Sequence, residues 1–229
     1  MTTEPRRLLS DVAYENVRTD IIACELPPGM ELTETDFRER YDLTIATTRA
    51  ALTRLSQEGL IRSEPRRGYI VSEITLRDVI EIFDLRIIIE PGVTRAATRL
   101  LSDATLRRLE TLAEEGCDPD VIADRAKWLA NNRAFHIAVA EATGNMRAVA
   151  AVSRLIDESQ RVLHLALGRL DLSERFGDEH RDLVQLMAAG QADAAAEMTR
   201  AQIADGKDWV VNAILSSNEL LDRNLSSLS

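Results

Sequence analysis

The chain has 229 residues, of which 4% are aromatic and 29% charged, with a formal net charge of −10. That length allows one or two domains, each with a sizeable core, and the acidic balance excludes a protein that grips nucleic acid through charge spread over its whole surface. The opening Thr2-Thr3-Glu4-Pro5-Arg6-Arg7 is not followed by a long apolar stretch, and no later run is long enough to span a bilayer, so neither a signal peptide nor a membrane segment is expected and the protein is expected in the cytoplasm.

The first predicted helix covers about Ser10 to Cys24, with Ala13, Val17 and Ile21 on one face, and Pro27-Pro28-Gly29 ends it. Cys24 and Cys117 have no Cys-x-x-Cys spacing and read as isolated small buried residues. Thr33, with Asp36 three positions later, has the form of a capping box that opens a second helix through Tyr41, with Phe37 and Tyr41 facing inward. Thr44 caps a third helix, where Thr48, Ala51, Leu52 and Leu55 form a buried stripe at i, i+3, i+4 and i+7, and Gly59 stops it.

The outward face of the third helix holds Thr44, Ile45, Thr47, Arg49 and Thr53. Short side chains let a helix backbone approach a DNA groove closely. An arginine can then bond guanine O6 and N7, hydroxyls can reach phosphates, and an apolar tip can touch a thymine methyl. Beyond Gly59 the period becomes that of strands, Leu60 to Glu64 and Tyr69 to Ser72, joined by Pro65-Arg66-Arg67-Gly68. Residues 43–70 hold five arginines against two glutamates, so a basic edge stands on an otherwise acidic chain.

This order of entry, helix and hairpin resembles the winged helix-turn-helix of the GntR family of bacterial transcription regulators, over roughly residues 10 to 74. The family's Val-Ser-Arg-x-Pro-Val-Arg-Glu-Ala-Leu falls on Leu43 to Leu52, so Arg49 matches the second arginine, Ile45 replaces the first and Ala50 replaces the glutamate. The resemblance implies that Thr44, Ile45, Thr47, Arg49, Arg66, Arg67 and Gly68 contact DNA.

From Thr75 onward the pattern is wholly helical, with helices expected at about 75–101, 102–115, 119–142, 145–169, 173–190 and 191–215, Pro91 kinking the first and Ser216 to Ser229 forming a polar tail. No period of 20 to 50 residues recurs, so these helices form a bundle and not a solenoid. The fold class is therefore mainly α: a winged helix-turn-helix of three helices and a two-stranded wing over 1–74, then an all-helical domain over 75–229.

Arg86 lies in a segment apolar on most sides, where an arginine needs a partner. Two readings stand side by side: an internal ion pair with Glu90 at i+4, and a clamp for a ligand carboxylate. The three histidines are His136, one turn after Asn132, then His164 and His180. On residues alone each reads as a hydrogen-bonded core or surface histidine. The segments Asn132-Arg133-Ala134-Phe135-His136, Gly144-Asn145, Glu179-His180 and Arg200-Ala201-Gln202-Ile203 resemble the FCD effector domain of FadR-type GntR regulators, over about 76 to 215.

That second resemblance implies a divalent metal (Zn, Ni or Mn) held by an Asp and three His, which helps bind a small organic acid. Here His136 and His180 are kept, while Asn132 stands for the Asp and Gln202 for the last His. Amide oxygens are weaker, uncharged donors. The expectation is a weakened metal site, or one in which Arg86, Asn132, His136, His180 and Gln202 hold the effector directly.

Together the two resemblances imply a DNA-binding transcriptional regulator, a repressor relieved by an organic-acid effector, working as a homodimer on a two-fold operator and not at a membrane. Two other classes compete: a metal-dependent enzyme using His136 and His180, which would leave the first 74 residues unexplained, and an effector-independent DNA-binding protein, which would leave Arg86, His136 and His180 unexplained.

Overall fold

The computed structural model describes residues 9–114, 122–167 and 177–216. Two compact units divide the chain, residues 1–74 and 75–229. The expected breaks at 116–119 and 168–172, Cys117, and the tail beyond Ser216 lie outside the described residues.

In the first unit α1 (Leu9–Ile22) packs on α3 (Ile45–Gln57), with α2 (Glu34–Tyr41) between them in sequence. Ala13, Val17, Ile21, Phe37, Leu52, Leu55 and Ile61 make the centre of one core. The prolines do not end α1. The chain leaves the helix at Ile22 and turns through Cys24, which holds a left-handed φ of 57° and is only half-buried. Thr33 and Asp36 close their capping box on α2, and Asp42, also left-handed, turns the chain toward Thr44, whose hydroxyl accepts from Thr47 N–H at 3.2 Å to cap α3.

The wing has one strand more than the sequence suggested. β2 (Ile61–Glu64) and β3 (Gly68–Val71) form the expected hairpin, and β1 (Glu31–Leu32) joins the other edge of β3, giving an antiparallel sheet in the order β1-β3-β2. Two residues flanked by Pro-Pro-Gly carry too little periodicity to announce a strand; the pairing of Glu31 with Ile70 is decided by the fold. Gly68, at φ 94°, lies where β1 crosses: a Cβ there would meet the Leu32 carbonyl oxygen at 2.7 Å, so no other residue fits.

The second unit is helical throughout its described residues. α4 (Leu76–Arg99) starts on a capping box of Thr75 and Asp78 and continues through Pro91. There follow α5 (Asp103–Glu114), α6 (Ile122–Ala142), α7 (Met146–Leu167), α8 (Gly177–Ala188) and α9 (Ala192–Ser216). The longest packing seam joins α4 to α9. The two run antiparallel, since Lys207 pairs with Asp84 at 2.5 Å, Thr199 with Thr94 at 3.1 Å and Arg95 with Asp193 at 2.6 Å. Ala97, Leu109, Phe135, Ala138, Leu183, Met187 and Ala195 fill the core among α4, α5, α6, α8 and α9.

Candidate functional site

On α3, Thr44, Ile45 and Arg49 are exposed, Ile45 at 48%, while Thr47 is half-buried and Thr48 fully buried. The hydroxyls of Thr44 and Thr47 lie 2.9 Å apart and share one hydrogen bond. Arg49 extends into solvent with 68% of its side chain exposed, and its Nε donates to Glu34 Oε2 at 3.0 Å. Glu34 sits in the first turn of α2, where the helix dipole favours a carboxylate. With Nε engaged, the terminal edge of the guanidinium is the one that can meet guanine O6 and N7. The sequence reading missed Glu34, because its contact with Arg49 joins two helices fifteen residues apart.

At the wing tip Arg67 N–H donates to Glu64 O at 3.1 Å across a turn led by Pro65. Arg66 takes the left-handed position of that turn, at φ 69°, and stands exposed. Arg67 pairs with Glu31 at 3.2 Å. Arg54 is drawn inward instead, to Asp11 at 2.7 Å and over the Tyr14 ring at 3.7 Å. Tyr14 donates to Glu58, and burial together with that bond pushes its phenol up to about 12.

In the second unit Arg86, Asn132, His136, His180 and Gln202 all line one cavity of about 60 Å3, together with Phe83, Trp128, Thr199 and Trp209 among others. Four helices supply the five residues named from sequence. Asn132 and His136 follow one another on a single face of α6, and Gln202 comes from α9. Both readings of Arg86 meet here. Its Nε donates to Glu90 Oε1 at 2.5 Å, Nη1 lies 3.4 Å from Ser159 Oγ, and the same side chain faces the cavity.

Glu90 does more than pair with Arg86. Its second oxygen accepts from His136 Nδ1 at 2.8 Å, which fixes the orientation of the ring. Burial alone would raise the Glu90 carboxyl; Arg86 and His136 outweigh it and hold it near 2, so the carboxylate is charged. His180 stacks on Phe135, with ring centroids 4.0 Å apart. Burial first, then His136 and Arg86, push its pKa down to about 3, so it is neutral. The spacing from Arg86 to Glu90 was legible in sequence, whereas the bond from Glu90 to His136 joins α4 to α6 and was not.

The residues present do not make a strong metal site. Among the described residues no three His, Cys, Asp or Glu side chains gather to hold an ion. The donors that do gather are two imidazoles and two neutral amides, and the Arg86 guanidinium beside them repels a dication while its partner Glu90 is fully engaged.

These features define a winged helix-turn-helix protein joined to a helical domain with a cavity lined by both polar and aromatic side chains. Residues 9–71 match the bacterial regulatory proteins of the gntR family and residues 81–205 match the FCD domain, and the chain belongs to this family of transcriptional regulators. It is similar to the HTH-type transcriptional repressor GlaR of Escherichia coli (strain K12), 25% identical over 197 residues that cover 82% of this chain and 89% of that protein. The HTH-type transcriptional repressor RspR of the same organism is 24% identical over 194 residues, covering 83% of each. Among solved structures, E. coli McbR/YncC shares the fold with a TM-score of 0.80 at 19% identity, covering 90% of this chain and 98% of that one. A putative GntR regulator from Rhodococcus sp. RHA1 shares it with a TM-score of 0.74 at 21% identity, covering 89% and 98%. Membership makes the chain a transcriptional regulator and accounts for the first 74 residues, which the alternative reading as a metal-dependent enzyme left unexplained. No helix among the described residues is long and apolar enough to cross a membrane.

Proposed function

We propose that the protein is a homodimeric repressor whose hold on its operator is weakened by a small organic acid bound among Arg86, Asn132, His136, His180 and Gln202, without a resident metal at full occupancy. One observation carries the reading: five polar residues from four helices converge on one cavity whose charged member is an arginine. Relatives named as repressors support the direction of control. On DNA, Arg49 reads a base while Thr44, Thr47, Arg66 and Arg67 hold backbone phosphates and Ile45 offers an apolar contact; Gly68 lets the wing lie close. Effector and operator then oppose one another by a single coupling free energy, felt equally by both ligands.

Fluorescence anisotropy of the full protein on DNA from upstream of its own gene, with and without a panel of organic acids, tests this. At least one acid should weaken operator binding. Arg86→Lys should abolish that response, because lysine can keep the charge opposite Glu90 but lacks the planar fork that grips a carboxylate. Operator binding untouched by every acid would sink the effector reading, and an unaltered response in the lysine variant would sink the role of Arg86.

A further inference from the structure

We propose that the occupant of the helical cavity is an amphipathic monocarboxylate, charged at one end and aromatic or alkyl at the other, and not a polyhydroxylated or dicarboxylic acid. This rests on the effector reading of the same cavity and narrows its chemistry.

Three helices carry the same gradient of polarity along the cavity. On α4 Phe83 precedes Arg86; on α6 the order is Trp128, Asn132, His136; on α9, read backward, it is Val210, Trp209, Gly206, Ile203, Gln202, Thr199. The registers align these series. Glu90 bonds His136, and beyond that bond Val93, Thr94 and Val139 line a smaller void, so α4 and α6 run in the same direction. Phe83 touches the Gly206 position and Thr94 bonds Thr199, so α9 runs against α4. The apolar ends of all three therefore coincide, as do the polar ends.

From Trp128 to His136 is eight residues, about 12 Å along the helix. At one end stand Arg86, His136 and His180; at the other stand Phe83, Trp128, Trp209 and Val210. Both tryptophans of the chain face this one cavity. A carboxylate suits the first end through the guanidinium, and a ring or alkyl body suits the second through aromatic and apolar contact. A second carboxylate would have to lie toward Trp128, Trp209 and Val210, where the nearest cation among the described lining residues is Arg86 itself, 5.3 Å from the Phe83 ring and already engaged by the first carboxylate. Each sugar-acid hydroxyl left there without a partner lowers affinity by roughly tenfold.

Because both tryptophans line the cavity, their fluorescence reports its occupancy directly. Phenylacetate, hexanoate, gluconate and succinate titrated into the full chain should separate cleanly: saturable changes in emission and a raised Tm with the first two, neither with the last two. Gly206→Leu supplies a second arm. Its Cβ meets Phe83 at an ordinary 3.6 Å, so the helix tolerates it while the longer side chain fills the apolar end. Phenylacetate binding should fall at least tenfold, with the helical circular dichroism signal retained. Tighter binding of gluconate or succinate than of phenylacetate overturns the amphipathic assignment but leaves an acid-sensing cavity. No saturable change with any of the four overturns the effector reading as well.

Discussion

Arg49 is a long exposed side chain on a helix that has lost the family's first arginine to Ile45, so its orientation depends on Glu34. An ion pair this exposed adds little stability, at most about 1 kcal/mol, yet it restrains the one exposed guanidinium of α3, on the face proposed to read DNA. Arg49→Ala should cost about 1–3 kcal/mol on the specific operator. Glu34→Gln should lower the ratio of specific to nonspecific binding with Tm nearly unchanged, and should have no further effect on specificity once Arg49 is alanine. Anisotropy on operator and base-substituted DNA for both single variants and the double variant measures this; additive losses would show that Glu34 acts elsewhere. The cavity gives a second prediction at the same scale. His180 in the folded chain titrates near 3 against about 6.5 unfolded. Between those values the unfolded state binds one proton more, so stability falls as pH falls, by at most about 1.4 kcal/mol per pH unit. Glu90, held near 2 against an ordinary value of 4.5, loses its contribution lower down, as pH drops from about 4.5 toward 2. Tm should therefore decline from below about pH 6.5, and His180→Gln should flatten the upper part of that decline. An identical profile in the variant would remove His180 from the account.

The wing carries a local backbone cost at an element proposed to lie on DNA. The turn Glu64-Pro65-Arg66-Arg67 needs a left-handed residue at its third position, where glycine is favoured, and Arg66 stands there. Placing a bulky residue so costs about 1 kcal/mol, and the position throws a guanidinium out at the tip. Arg66→Gly should accordingly stabilise the protein by about 0.5–1 kcal/mol in thermal or urea unfolding. It should also weaken binding to all DNA sequences alike and reduce the salt slope by about 1. A stability loss would mean that the arginine side chain makes folded-state contacts outweighing its backbone strain. In the helical unit the long α4–α9 seam does comparable structural work, with Thr94 and Thr199 bonded to one another inside it.

At the scale of the whole molecule, the proposed DNA interface of one helix with a single exposed arginine and one wing would contact few bases. Specific binding from such a module calls for two copies on paired half-sites about 34–36 Å apart, or a multiple of that. The full chain should therefore sediment as a dimer at micromolar concentration, and its footprint should be two-fold symmetric. A monomer that still binds one half-site specifically would contradict this.

Local signals are legible without the fold. The capping boxes at Thr33 and Thr75, the buried stripe of Thr48, Ala51, Leu52 and Leu55, and the stop at Gly59 are set by residues within a turn or two of each other, and those are the features the sequence alone determined. The family motifs likewise marked Arg49, His136 and His180, because a motif is a local string. Tertiary structure alone decided that β1 completes the sheet, that Glu34 holds Arg49, and that Glu90 bridges Arg86 to His136. It alone also aligned Phe83, Trp128 and Trp209 at one end of the cavity. Each of these joins elements whose relative register is fixed only when the cores close, and no short-range periodicity in the chain encodes that register.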